Sequence, residues 1–348
     1  MSTSGATWYG EFQSNLDTVD DWRQLIHGAQ MKRQAVLSVT HLEERQLRLL
    51  LYIRRCMESK QYIDYSFLTR RQAALFLHGE NCSEYHRVGF EFAMAEAKAR
   101  ASYSWPKQQS HNWQLRELAD YCGSASVIFV NNFLHEDLLN FALQANVPVI
   151  NAGNYDEDPC SALAAFFTII QKLDRLQGIK IAFIGDASSG VFHSLMLLAA
   201  SVGAHLRVAC PAHYSPSILC TATATGLANA TGSIISISQN PYEAIARADI
   251  VCTGTHFSPR PRAPHRHDPA SWAQQERQRE KEWRSGLVEF IPSDGLLRHA
   301  APDAQVFPIQ PLIGEYDITY PQISSDRRIN PGSYATMLKV LTALVAGT

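Results

Sequence analysis

The chain has 348 residues, 46% of them hydrophobic and 18% charged, with a formal net charge of −2. That is longer than one compact core usually holds, so two α/β domains are expected. Near-zero charge with no Lys/Arg run interleaved with aromatics argues against a nucleic-acid surface, and no apolar stretch is long enough to span a bilayer.

The opening segment lacks the basic-then-apolar order of a secretion signal, so the expected location is cytoplasmic. Seven cysteines without a CxxC pair read as reduced core thiols. The first long helix is announced by "SVTHLEERQLRLLLYIRRCM". Thr40 and Glu43 read as a capping box, with Leu42, Leu47, Leu50, Leu51 and Ile53 on the buried face. The basic "LTRRQ" (Leu68 to Gln72) then precedes a strand from Ala73 to Leu77, so it reads as a solvated patch. A helix from Val88 to Lys98 follows the strand. The polar segment between strand and helix sits where free N–H groups and the helix dipole favour an anion. Yet it offers Glu80, Glu84 and His86 with a single arginine, Arg87.

Next come a short strand at "SYSW", a helix at "WQLRELADYC", a strand at "ASVIFVNN", a helix at "HEDLLNFALQAN" and a strand at "VPVINAG". From Asp158 the pattern restarts. "PCSALAAFFTIIQKLDRLQG" is a helix with Pro159 in its first turn and Gly178 after its end, and "IKIAFIGD" is a buried strand feeding the helix of "ASSGVFHSLMLLAASVG". Strands at "HLRVACP", "GSIISIS", "ADIVCTGT" and "AQVFPI" complete the series. Helices at "SILCTATATGLANA" and "PYEAIAR" lie between them, and "WAQQERQREKEWRSG" forms a solvated helical insertion before the last strand. Alternating β and α elements of this kind build parallel sheets covered by helices. The fold class is therefore α/β: two Rossmann-like parallel-sheet domains joined by interdomain helices. An apolar C-terminal helix, from Ser333 to Ala346, returns to the N-terminal domain. The expected division is 1–152, with the returning helix 331–347, and 153–330. No loop after a strand supplies G-x-G-x-x-G, which excludes a Rossmann dehydrogenase. No cofactor is called for, and His78, Cys82 and His86 lack the spacing of a metal centre.

The run from Val147 to Pro211 resembles the aspartate/ornithine carbamoyltransferases, which likewise read VPV-N, a DE-P turn, a helix, L-G-K, a strand ending in GD and a helix beginning HSL. The resemblance extends in register from Thr40 to Val345. It implies a carbamoyl phosphate-type first domain, an amino-acid acceptor-type second domain, and transfer of a carbamoyl group to an amine. It also implies a homotrimer whose sites are completed by a neighbour's loop, equivalent here to "PKQQSHNW" with Lys107 and Ser110.

Residue by residue, the family's donor motifs are altered. Its S-x-R-T-R loop reads Ser83-Glu84-Tyr85-His86-Arg87, so the principal phosphate-clamping arginine is Tyr85. The arginine that holds the carbamoyl carbonyl is Asn131. H-P-x-Q is Asp158-Pro159-Cys160-Ser161, and H-C-L-P is Pro308-Ile309-Gln310-Pro311. The acidic residue of D-x-W-x-S-M-G is Gly254, with Ser258 matching and His256 nearby. In the acceptor region, Ser188 and Ser189 stand where the family contacts an amino-acid carboxylate.

Glu84 or Asp158 ionised beside the cradle would oppose a dianion. The expectation is thus a divergent transferase for a small amino-acid-like, amine or guanidino substrate, in amino-acid or specialised metabolism. His86, Asp158 and Gln310 are its candidate catalytic residues. Ser83, Glu84, Tyr85, Arg87, Asn131, Cys160, Ser161, Ser188, Ser189 and His256 are its candidate substrate contacts. Three alternatives stay open: a catalytically silent relative that binds a metabolite or partner, carbamoyl phosphate chemistry through substituted residues, and a purely structural role for several of these groups. On the structural reading Glu84 favours the helix dipole, Cys160 is a packed thiol rather than a lowered-pKa nucleophile, and Ser188–Ser189 form a turn with an N-cap.

Overall fold

The computed structural model describes residues 19–31, 34–58, 73–78, 84–97, 99–104, 115–254, 269–309, 337–338, 341–342 and 344–345. Two parallel sheets organise these residues. In the first, β1 (Ala73–His78), β2 (Arg100–Ser104), β3 (Val127–Asn131) and β4 (Val149–Asn151) lie in the order β2-β1-β3-β4. Its helices are α1 (Val19–Gly28), α2 (Glu44–Glu58), α3 (Glu84–Glu96), α4 (Leu115–Tyr121) and α5 (His135–Gln144). Helix α6 (Pro159–Leu173) then leads to the second sheet. There β5 (Lys180–Gly185), β6 (His205–Ala209), β7 (Ile235–Ser238), β8 (Ile250–Gly254) and β9 (Gln305–Pro308) run in the order β7-β6-β5-β8-β9. Helices α7 (Gly190–Ser201), α8 (Ile218–Thr231), α9 (Pro241–Ile245), α10 (Pro269–Gly286) and α11 (Asp294–Leu297) complete it.

Both strand orders reverse direction once, between β1 and β3 and between β5 and β8. Crevices for ligands form at such reversals, beyond the carboxyl ends of the strands. That places the strand ends at His78, Asn131, Gly185 and Gly254 at the two switch points.

Local chemistry shifts three expected boundaries. Thr40 caps nothing: it lies in a 3-10 turn, Val39–His41, capped by the Ser38 hydroxyl, which accepts the Thr40 N–H. The box sits three residues later, where the Gln46 side chain accepts the Glu43 N–H just before α2. Helix α3 begins at Glu84, so Glu84 to Arg87 form its first turn, an acceptable place for acidic residues. Helix α6 ends on Asp174 in the left-handed conformation (φ 50°), four residues before Gly178.

The core explains why these helices persist. The α2 residues Leu47, Leu50, Leu51 and Ile53 are buried, together with Leu42 just before the helix. The same apolar cluster takes in Phe90 of α3 and the returning C-terminal residues Met337, Leu338, Leu341, Leu344 and Val345. Helix α7 is buried from Gly190 to Ala200, and Phe192 packs 4.1 Å, centroid to centroid, from Phe183 of β5. Six cysteines are described, all free and buried. Among the described residues no helix is long and apolar enough to cross a membrane, and no group of three His, Cys, Asp or Glu is arranged to hold a metal.

Candidate functional site

Four of the sequence-selected residues converge at the first switch point. His86, on the third position of α3, is buried and its Nε2 lies 3.0 Å from Asp158 Oδ2. Asp158 is the N-cap of α6: its Oδ1 accepts the Ser161 N–H at 2.9 Å, so one carboxylate serves both helices. An ionised carboxylate only accepts hydrogen bonds, so with Asp158 ionised Nε2 carries the hydrogen and the imidazole is oriented by the acid. Asn131, at the end of β3, donates both amide hydrogens inward, to the carbonyls of Ala152 (2.7 Å) and Gly153 (3.0 Å). Its Oδ1 is left as an acceptor. Ser161 is buried, and its hydroxyl has no hydrogen-bond partner among the described residues.

Gly153 makes this proximity possible. With φ at +111°, it lies where a Cβ would meet Asp158 Oδ2 at 2.9 Å and Asn131 Nδ2 at 3.2 Å. Asn151 braces the same segment: it is fully buried, accepts the Gly153 N–H and donates to the Leu37 and Glu157 carbonyls. Sequence reading passed over both residues, although a glycine closing a buried strand and an asparagine within it were the available signals.

Other candidates stand elsewhere or are already engaged. Arg87 is half-exposed and pairs with Glu91 one turn along α3, at 2.7 Å. Cys160 is completely buried, donates its thiol to the Asn151 carbonyl at 3.2 Å, and burial pushes its pKa well above the ordinary thiol range. That removes the nucleophile reading, since attack needs an accessible thiolate. Ser188 donates its hydroxyl and its N–H to Asp186 Oδ1, and Ser189 caps α7 by accepting the Phe192 N–H. Ser83, Gln310, His256 and Ser258 lie outside the described residues, as do Lys107, Ser110 and the side chains of Glu84 and Tyr85.

At the second switch point Gly185 and Gly254 pair across β5 and β8. A Cβ at Gly254 would lie 2.5 Å from Phe183 Cζ in the core and 3.0 Å from the Asp186 carbonyl. The acidic residue that the resemblance assigns to this position has no room here unless Phe183 and the strand end move.

A second polar network, absent from the sequence reading, ties the link at 154–158 to α7. Ser194 Oγ accepts the Asp158 N–H and donates to Glu157 Oε2 at 3.1 Å. Glu157 is also hydrogen-bonded by the Ser38 hydroxyl and the Val39 N–H. Burial nevertheless raises its pKa from 4.5 to about 7. His193 Nδ1 meets the Asp156 carbonyl at 2.8 Å and Nε2 the Ser217 N–H at 3.1 Å. Nδ1 therefore carries the hydrogen and Nε2 accepts, and burial lowers the pKa, which favours the neutral ring.

Comparison with known proteins agrees with this architecture. Residues 34–171 match the sequence model of the aspartate/ornithine carbamoyltransferase carbamoyl-P binding domain, and residues 177–320 that of the Asp/Orn binding domain. An ornithine carbamoyltransferase of Anoxybacillus flavithermus is 32% identical over 234 residues, 64% of this chain and 72% of that one. One from Bacillus cereus is 38% identical over 131 residues, 38% of this chain and 41% of its own. Among solved structures, ornithine carbamoyltransferase from Pyrococcus furiosus superposes with a TM-score of 0.78 at 24% identity, covering 91% of this chain and 98% of that one. The Gloeobacter violaceus enzyme gives 0.73 at 25%, with the same coverage of both chains.

Proposed function

The chain belongs to the aspartate/ornithine carbamoyltransferase family, and from that premise we propose that it is a transferase with a rebuilt donor site, acting on a small amino-acid-like, amine or guanidino substrate. The observation that carries this reading is the buried pair His86–Asp158, with Asn131 alongside; Asp158 and Asn131 stand where the resemblance has the histidine of H-P-x-Q and the carbonyl-holding arginine. A phosphate dianion needs several fixed cations and donors, and its affinity rests on charge-assisted bonds. Here the described groups supply a carboxylate and an amide oxygen as acceptors. They favour a ligand that donates hydrogen bonds.

Three residues have definable tasks in such a site. Asp158 orients the His86 ring through Nε2. His86, its Nε2–H turned to Asp158, can take a proton at Nδ1 from an attacking amine. Ser161 offers a buried hydroxyl to the bound group. The protein works as a homotrimer in this reading, by analogy with the family, and light scattering reports its mass.

The test is direct. The unaltered protein should neither gain thermal stability from carbamoyl phosphate nor consume it with ornithine or aspartate, because ligand stabilisation follows affinity for the native state. A panel of amines and guanidino compounds should contain one that raises Tm, an effect lost in Asp158→Asn. Efficient carbamoylation of ornithine or aspartate would overturn the proposal.

A further inference from the structure

A cavity of about 260 Å³ opens on the far side of β4 from the first switch point. Val36 bridges to Ile150 of β4, and the turn that follows, with Ser38, Thr40 and His41, forms one wall. The start of α5, with His135 and Leu139, forms another; α7 and α8 close the cavity from the second sheet's side. Asp156 and Glu157 face it from the connecting link. Nothing in the reading of the donor site uses this space.

Its chemistry has a direction. Two carboxylates line it and no lysine or arginine does among the described residues. The described donors to Glu157, the Ser38 and Ser194 hydroxyls and the Val39 N–H, are all neutral, so a carboxylate set largely out of water has no countercharge among them. His193 supplies none, because both ring nitrogens are engaged by backbone groups. His135 lines the cavity from the start of α5. An ammonium group has three hydrogens to donate, and the Glu157 carboxylate and the Thr40 and Thr223 hydroxyls that line the space are acceptors for them. Leu139, Leu197 and Leu219 give the remaining walls an apolar surface for a short alkyl body. We propose that this cavity is a second ligand site, which takes a small primary ammonium compound paired with Glu157. Because the walls come from both sheets' helices, the ligand would tie the two halves together across the 154–158 link.

Isothermal titration calorimetry with n-butylammonium chloride tests the proposal, with sodium butyrate as the opposite charge. Saturable binding of the amine is expected at pH 8, and none of the carboxylate. Glu157→Gln should weaken the amine at least tenfold. Thr223→Trp, which fills the cavity from an exposed position of α8 and leaves Glu157 intact, should do the same. Asp158→Asn should bind as the unaltered protein does, which separates this site from the donor site. Since Glu157 ionises near pH 7, affinity at pH 6 should be at least about tenfold lower than at pH 8. The other titratable groups facing Glu157 are His41 from the turn, Asp156 from the link, His135 from α5, His193 from α7 and Cys220 from α8. No saturable binding at pH 8, binding unchanged in both Glu157→Gln and Thr223→Trp, loss confined to Asp158→Asn, or preferential binding of butyrate would each overturn the proposal.

Discussion

Replacing Glu157 by glutamine should flatten the pH dependence of stability between pH 5 and 8. The Glu157 carboxyl is raised by burial to about 7 from 4.5, despite the hydroxyl and N–H groups that bond to it. In that interval the folded chain holds a proton that the unfolded chain has released. Stability is therefore fully present below about pH 4.5, drains away as pH rises toward 7, and levels off above it. The gap of about 2.5 pH units, at about 1.4 kcal/mol each, amounts to roughly 3 kcal/mol, of which about 2.5 kcal/mol falls between pH 5 and 8. Glutamine does not titrate, so any loss it causes by mismatched hydrogen bonds is the same at every pH. Urea denaturation followed by tryptophan fluorescence at four pH values gives both curves. The variant's stability relative to the parent should climb with pH by about that amount. Parallel curves, or a difference that shrinks as pH rises, would refute the assignment of a high pKa to this residue.

Asp158→Ala removes the α6 cap, worth about 1 kcal/mol, and strands a buried imidazole N–H at about 1–3 kcal/mol. A combined loss of about 2–4 kcal/mol is expected by the same assay, and a change under about 0.5 kcal/mol would count against the shared role. Gly190→Ala would force a Cβ to within 2.9 Å of Glu157 N and closer still to the Asn154 carbonyl, so more than about 3 kcal/mol should be lost. Gly123→Ala, which meets open space, is the control expected to change stability little. The Cys160 peptide should resist alkylation by iodoacetamide at pH 8 until the protein is unfolded, as mass spectrometry can show; rapid native-state labelling would revive the nucleophile.

The strand and helix order was legible because burial sets hydrophobic period. "IAFIG" and "VIFVN" are apolar runs of interior strands, and α7 is apolar over most of its length and buried on every face. Helix starts were less legible. They depend on which of several nearby polar side chains reaches a free N–H, and at α2 Gln46 rather than Thr40 settled the matter. The convergence of His86, Asn131, Asp158 and Ser161 could be anticipated only through the resemblance, since 72 residues separate His86 from its partner. Residues that hold the site in place were harder to see. Gly153, Asn151 and Ser194 act through backbone contacts across turns, and no periodicity marks such a contact. The acceptor-side glycine at 254 read as a lost acid, whereas its surroundings admit no side chain without displacement of Phe183.

The crowding around Gly153 bears on how such a site can change over generations. Asp158 caps a helix, meets an imidazole and lies against a glycine whose missing side chain leaves it room. Substituting residue 158 alone breaks all three relations at once, and substituting residue 153 alone drives a new Cβ into both carboxylate and amide. Contacting residues of this kind do not contribute additively, so single changes among them should cost more folding stability than matched sets of changes. Libraries selected for folding should therefore recover substitutions at 86, 131, 153 and 158 as clustered sets, and single-site libraries at 153 or 158 should recover few.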